Sequence, residues 1–209
     1  MPESSESPES RGEIGLFEAI DTQRALRYIK PDPVPPEMLD RILLAASRAP
    51  SGGNNQPWEF IVIQDADVKN RIAAYYKRAW DESYGRSRDP GRLGARSYSS
   101  AEHLAHHIAE APLWIIVCVR HDGSPPTLGR GASVYPAVQN MLLAARGLGL
   151  ASVLTTFHTR FETEVAEILE LPENVQTAAL LPFGFPEEGH GYGPTRRAPV
   201  DEFLHFDRW

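Results

Sequence analysis

Nine consecutive residues constrain this chain more than any others: Pro50-Ser51-Gly52-Gly53-Asn54-Asn55-Gln56-Pro57-Trp58. Two prolines bracket a run of small and amide side chains, so no regular element passes through and the backbone must bend here. Immediately afterwards Phe60-Ile61-Val62-Ile63 forms a continuous apolar run of strand length, expected as a buried strand. Glycines and short hydrogen-bonding side chains in such a bend let backbone come close to a flat or charged ligand. Upstream, Arg24-Ala25-Leu26-Arg27 sets two guanidinium groups within one short segment, and arginine is suited to holding phosphate through two hydrogen bonds.

Periodicity supplies the remaining elements. Helices are expected over 14–26, 36–49, 68–80, 97–111, 131–147 and 161–171, and strands over 60–63, 113–119, 150–156 and 175–185. If the first helix persists, Arg24 and Arg27 share a face. The second opens at Pro36 after a proline-rich break, with Met38, Leu39, Ile42, Leu43 and Ala46 as its buried stripe. The fifth carries Val134, Val138, Met141, Leu142 and Ala145 on one side, and its small residues permit close approach at a core or subunit interface. The third strand ends in polar Thr155-Thr156. Residues 84–96, rich in Gly and Arg, read as a loop, either a lid over a site or a plain surface excursion. Residues 186–209 read as extended. Phe203, Leu204, Phe206 and Trp209 give that tail apolar area to bury, which another subunit could cover. Residues 1–13, rich in Ser, Glu and Pro with no apolar h-region, are expected as a mobile tail without a secretory signal, leaving 14–209 as one domain.

Composition excludes several function classes. A net charge of −7 argues against general nucleic-acid binding while leaving room for a local basic pocket. No apolar run approaches the roughly 18 residues of a membrane span. Cys118 is the only cysteine, so no intrachain disulfide forms and a reducing compartment is expected. Its place inside an apolar strand makes it a core thiol. His103, His106 and His107 recur at helical spacing but lack the glutamate-bearing zinc motif and a second ligand cluster, so they read as a helix face. The chain has no Gly-x-Ser-x-Gly elbow, no phosphate-binding P-loop and no Gly-x-Gly-x-x-Gly after a strand. A nicotinamide nucleotide would therefore have to visit a site built for something else.

From about Ile14 to Trp209 the chain resembles the nitroreductase family of flavin (FMN) enzymes. In order, the resemblance runs through Arg24-Ala25-Leu26-Arg27-Tyr28, Lys30-Pro31-Asp32-Pro33-Val34-Pro35, the 49–58 loop, Ala111-Pro112 before a strand, Gln139-Asn140 with Leu148-Gly149-Leu150, and the closing Arg197-Ala198-Pro199-Val200-Asp201-Glu202. It implies an α+β fold with a central mixed or mostly antiparallel sheet flanked by helices. It also implies an intertwined homodimer with two FMN molecules in its interface. By position, Arg24 matches a contact to the flavin phosphate and ribityl chain, and Arg27 a cation beside the pyrimidine edge. Pro50, Ser51 and Gly52 match the loop that reaches the flavin from the partner subunit, with Asn54 close by. Leu154, Thr155 and Thr156 match the segment whose backbone lies over the isoalloxazine and donates towards N5, and Arg197 matches a second phosphate cation. Where the family often has Arg-Arg-Ser this chain has Gln23-Arg24-Ala25. One cation and one hydroxyl are missing, which could lower FMN affinity, although backbone at Ala25 can still contact the cofactor.

The activity this implies is a cytoplasmic oxidoreductase. NADH or NADPH and an electron acceptor, such as a nitroaromatic or quinone, use one flat site in turn by ping-pong hydride transfer. No side-chain acid, base or nucleophile is required, because the cofactor carries the chemistry and the protein tunes it. Two alternatives remain open at this point: a flavin-consuming or dehalogenating branch of the same family, and a flavin-binding storage or sensing protein without turnover.

Overall fold

The computed structural model describes residues 14–85 and 94–209. The expected tail over 1–13 and most of the expected lid, residues 86–93, lie outside them. Seven α-helices and four strands are found among the described residues: α1 (Leu16–Thr22), α2 (Pro36–Ser47), β1 (Trp58–Ile63), α3 (Ala66–Trp80), α4 (Ala95–His107), β2 (Leu113–Arg120), α5 (Leu128–Ala132), α6 (Tyr135–Gly147), β3 (Ala151–Ser152), α7 (Glu162–Ile168) and β4 (Val175–Gly184). The strands form one sheet in the order β1-β2-β4-β3. Every pairing is antiparallel, so the α+β expectation holds and the sheet contains no parallel component among these strands.

Strand β2 explains the layering. It is apolar at every position from Leu113 to Val119 and buried throughout, as a central strand covered on both faces must be. Trp114, Ile116 and Cys118 face a cluster built with Ile72, Tyr76 and Trp80 of α3, Leu104 of α4 and Val165 of α7. Leu113, Ile115, Val117 and Val119 face the other way, onto Ile42 and Ala46 of α2 and Val138, Met141 and Ala145 of α6. The side-chain period of two thus divides the core into two layers from one strand. Cys118 is fully buried, and burial pushes its thiol up to about 12.

Three sequence expectations are corrected. The run 60–63 is not a buried strand: β1 lies at the sheet edge, only Ile63 in it is buried, and Val62 is exposed. The helix expected over 131–147 is two helices, α5 and α6. Pro136 sits in the first turn of α6, where it lacks the N–H that a through-going helix would need. The strand expected over 150–156 shrinks to Ala151–Ser152 plus an isolated bridge between Thr155 and Leu180.

Candidate functional site

The helix that would have put Arg24 and Arg27 on one face stops at Thr22. From Gln23 the chain is extended, because long-range partners take its backbone groups. Leu26 N donates to Ser152 O (3.1 Å), Lys30 N to Phe185 O (2.8 Å), and Tyr28 O accepts from Glu187 N (3.2 Å). Ile29 bridges Pro186. Segment 23–30 therefore runs like an extra strand between β3 and the chain that follows β4. Leu26 and Ile29 point into the core, while Arg24 and Arg27 remain half-buried at the surface.

This segment forms one wall of a cavity of about 540 Å³, completed by the first turns of α4 and by residues 189–197. Arg24, Ala25, Arg27 and Arg197 all line it. Arg96 and Arg196, which the sequence did not single out, join them, with Ser97, Ser99, Ser100 and Thr195 supplying hydroxyls. Arg27 donates to Ser100 Oγ (3.1 Å), and burial lowers its pKa. Tyr28 is sandwiched between the rings of His103 (4.1 Å) and His190 (3.7 Å). His103 in turn stacks on His107 (4.5 Å), so these imidazoles lie face to face with their neighbours.

Arg27 also lines a second cavity of about 380 Å³, whose floor is Val153, Leu154, Thr155, Thr156 and Phe157 and whose inner wall is Tyr76. Thr155 is fixed from three sides. Its N–H donates to Leu180 O (3.0 Å), its carbonyl accepts from Leu180 N (2.9 Å), and its hydroxyl pairs with Tyr76 Oη (2.8 Å). Burial raises the Tyr76 phenol to about 12, so it stays neutral. With Thr155 N–H committed, the backbone N–H groups of Leu154 and Thr156 have no protein acceptor among the described residues. They are the donors that this segment can offer to a ligand. Arg160, on the rim, shares Glu82 with Arg78 at 3.1 and 3.0 Å.

The 50–56 loop is preformed. Gly53 and Asn54 adopt left-handed backbone (φ 58° and 55°), Asn54 N donates to Ser51 O (3.0 Å), and Ser51 Oγ accepts from Gln56 N (3.0 Å). Yet Pro50, Ser51, Gly52 and Asn54 line neither cavity. The loop is held instead at the junction between α5 and α6, with Gly52 N donating to Ser133 Oγ (3.1 Å). One chain thus brings together Arg24, Ala25, Arg27, Leu154, Thr155, Thr156 and Arg197 and leaves the loop elsewhere on its surface.

The donor set suits FMN. The guanidinium groups of the larger cavity are of a kind that can hold a phosphate, and the backbone N–H groups and apolar side chains beyond Arg27 could support a flat ring. Among the described residues no group of three or more His, Cys, Asp or Glu converges as a metal site, and no helix is long and apolar enough to cross a membrane.

Comparison with known proteins locates this arrangement. The nitroreductase family model matches residues 20–185. Iodotyrosine deiodinase of Danio rerio is 29% identical over 200 residues, covering 90% of this chain but only 66% of that protein, so the chain spans about two thirds of this relative's length. Among solved structures, an oxidized iodotyrosine deiodinase bound to FMN and 3-iodo-L-tyrosine superposes with a TM-score of 0.73 at 26% identity, over 93% of this chain and all of that one. The NADPH:FMN oxidoreductase of Vibrio harveyi, complexed with NAD+, shares the fold at 20% identity with a TM-score of 0.71, over 93% of this chain and 77% of that one.

Proposed function

The chain belongs to the nitroreductase family, and from that premise we propose that it is an FMN-dependent oxidoreductase that draws reducing equivalents from a nicotinamide nucleotide and passes them to a small acceptor. The observation that carries this reading is the pair of cavities meeting at Arg27, one lined by arginines and one floored by free backbone donors. FMN bound there supplies hydride and electron transfer at its ring. Arg24 and Arg197 hold the phosphate through charge-assisted hydrogen bonds. Arg27 places positive charge at the ring edge and so favours the reduced, more negative form. Leu154 and Thr156 offer N–H groups to the ring's reacting side, and the Tyr76–Thr155 bond keeps that floor rigid.

The protein works as a homodimer in this reading. The 50–54 loop lies away from its own chain's cavities, so a second copy must present it to the flavin. Reductant and acceptor occupy one flat surface in turn, which gives ping-pong kinetics; a productive ternary complex would contradict it. Nitroaromatics and quinones are the acceptor classes, and the site of action is the cytoplasm. An absorbance spectrum of the purified protein, before and after anaerobic NADPH or NADH, tests the core of this proposal. Flavin bands that bleach support it. A colourless protein that takes up no added FMN ends it.

A second reading, reductive removal of halogen from an aromatic amino acid, is favoured by the deiodinase relatives. Among the described residues the lining of the smaller cavity includes Arg27 and Arg160, the latter paired with Glu82 at 3.1 Å. Iodide release from 3-iodo-L-tyrosine under reducing conditions decides between them.

A further inference from the structure

Two groups stand apart among the arginines of the described residues. Arg78, Arg120, Arg130, Arg146 and Arg160 each lie within 4.0 Å of a carboxylate. Arg24, Arg27, Arg96, Arg196 and Arg197 all line one cavity, and among the described residues that lining contains no aspartate or glutamate. Among the described residues none of these five pairs with a carboxylate. In a chain of net charge −7, five guanidinium groups without a carboxylate partner among the described residues, gathered in one hollow of about 540 Å³, form a concentrated positive field. Such a field destabilises the folded protein unless anionic ligands occupy it.

One flavin phosphate does not need all five. A phosphate monoester carries about −1.5 to −2 charges at neutral pH, which Arg24 and Arg197 match. Arg27 is turned to the wall shared with the second cavity, bonded to Ser100. Arg197 Nη1 donates to the Arg196 carbonyl (3.0 Å), which ties the Arg197 guanidinium to the backbone and leaves that of Arg196 free of it. Arg96 and Arg196 remain, both exposed, with the hydroxyls of Ser97, Ser99 and Thr195 in the same lining.

Resting on the flavin reading above, we infer that Arg96 and Arg196 form a subsite for a second phosphate monoester, and that the co-substrate is therefore the 2′-phosphorylated dinucleotide NADPH rather than NADH. The pyrophosphate is common to both dinucleotides and cannot discriminate between them. The ribose 2′-phosphate is the group that differs, and it needs two or three cationic donors without a nearby carboxylate. A carboxylate at that position would instead accept from a free 2′-hydroxyl and favour NADH.

The test uses the flavin-loaded protein and two probes, adenosine 2′,5′-bisphosphate and 5′-AMP, titrated by calorimetry, with kcat/KM measured for NADPH and NADH alongside. The bisphosphate is expected to bind at least tenfold tighter, and NADPH to exceed NADH by a similar factor. In the double variant Arg96→Gln/Arg196→Gln both ratios fall towards one; both side chains are exposed, and circular dichroism confirms that the variant folds. Equal affinity for the two probes in the unmodified protein overturns the inference, as does a preference that survives in the double variant. A yellow protein without the preference defeats this inference alone, whereas a protein that binds no flavin defeats the reading beneath it.

Discussion

At the scale of single residues, charge state and hydrogen-bond supply decide what each group can do. Arg24 lines the larger cavity and has no carboxylate partner among the described residues, so in the proposed reading its interaction is available to a phosphate. Replacing it with alanine removes charge-assisted hydrogen bonds worth about 1.5–3 kcal/mol, and Arg24→Ala is expected to lose FMN on dilution tenfold or more faster than the unmodified protein. Flavin retained equally on gel filtration would remove Arg24 from the phosphate site. His158 lies at the opposite extreme, fully buried. Glu162 accepts from Thr177 N (2.8 Å) and from the Thr177 hydroxyl, so Thr177 Oγ1 can only accept from His158 Nε2 (3.1 Å). That fixes the Nε2–H tautomer and leaves Nδ1 without a partner. Burial lowers the His158 pKa to about 4. The unfolded chain, with an ordinary value near 6.5, then binds the proton more readily than the fold does. Stability should thus be fully present above pH 6.5 and decline as pH falls towards 4, by ~3 kcal/mol for a shift of this size. In His158→Gln that part of the pH dependence of urea unfolding should flatten; an unchanged slope would show that other groups govern the acid limb.

Elements obey their own sequence where local pattern suffices and depart from it where partners arrive from far away. The stripes of α2 and α6 and the unbroken apolar run of β2 were legible because each pattern is a local record of which sides are buried. Segment 23–30 was not, since its extended form depends on hydrogen bonds to Ser152, Phe185 and Glu187, which no window around Arg24 contains. Edge position hid β1 in the same way: its apolar run reads as central, but the strand order leaves one side unpaired. Of the site, Arg24, Arg27, Arg197 and the 154–156 shelf were reached through family resemblance, and Thr155 N–H proved to belong to the sheet. Arg96 and Arg196 carry no local signal, because only tertiary folding sets them beside Arg24. The end of β4 shows how tightly this crossing is drawn. A Cβ built on Gly184 would lie 2.5 Å from Ile29 Cγ2, 2.9 Å from Pro112 Cδ and 3.0 Å from Lys30 O. Gly184→Ala must push segment 23–30 outward, at a cost of ~1–3 kcal/mol from overpacking. Because that segment carries Arg24, flavin affinity should drop along with the melting temperature. A variant that loses neither would show that the strand end yields freely.

For the molecule as a whole, the exposed apolar surface is the unfinished part of the fold. Leu16, Phe17 and Ile20 of α1 stand 64%, 79% and 49% exposed. Val200, Phe203, Leu204, Phe206 and Trp209 form a second exposed group, on a tail that packs little against its own chain. Patches of this extent on one protein mark a contact surface. The Pro50–Asn54 loop adds an independent reason for a partner, since it is preformed in left-handed backbone yet lines neither cavity. Two copies related by a twofold axis would bury each tail on the other subunit and bring each loop to the other's arginine cavity, with one symmetric interface serving both ends. Assembly and flavin binding would then be linked, because FMN touching both chains would stabilise the dimer by mass action. Removing residues 200–209 is therefore expected to shift the protein from dimer to monomer in light scattering and to release FMN, although every arginine of the cavity is retained. Added FMN should in turn move the equilibrium of the shortened chain back towards dimer. A truncated monomer that holds flavin as tightly as the full chain would separate the two properties and place the whole cofactor site within one subunit.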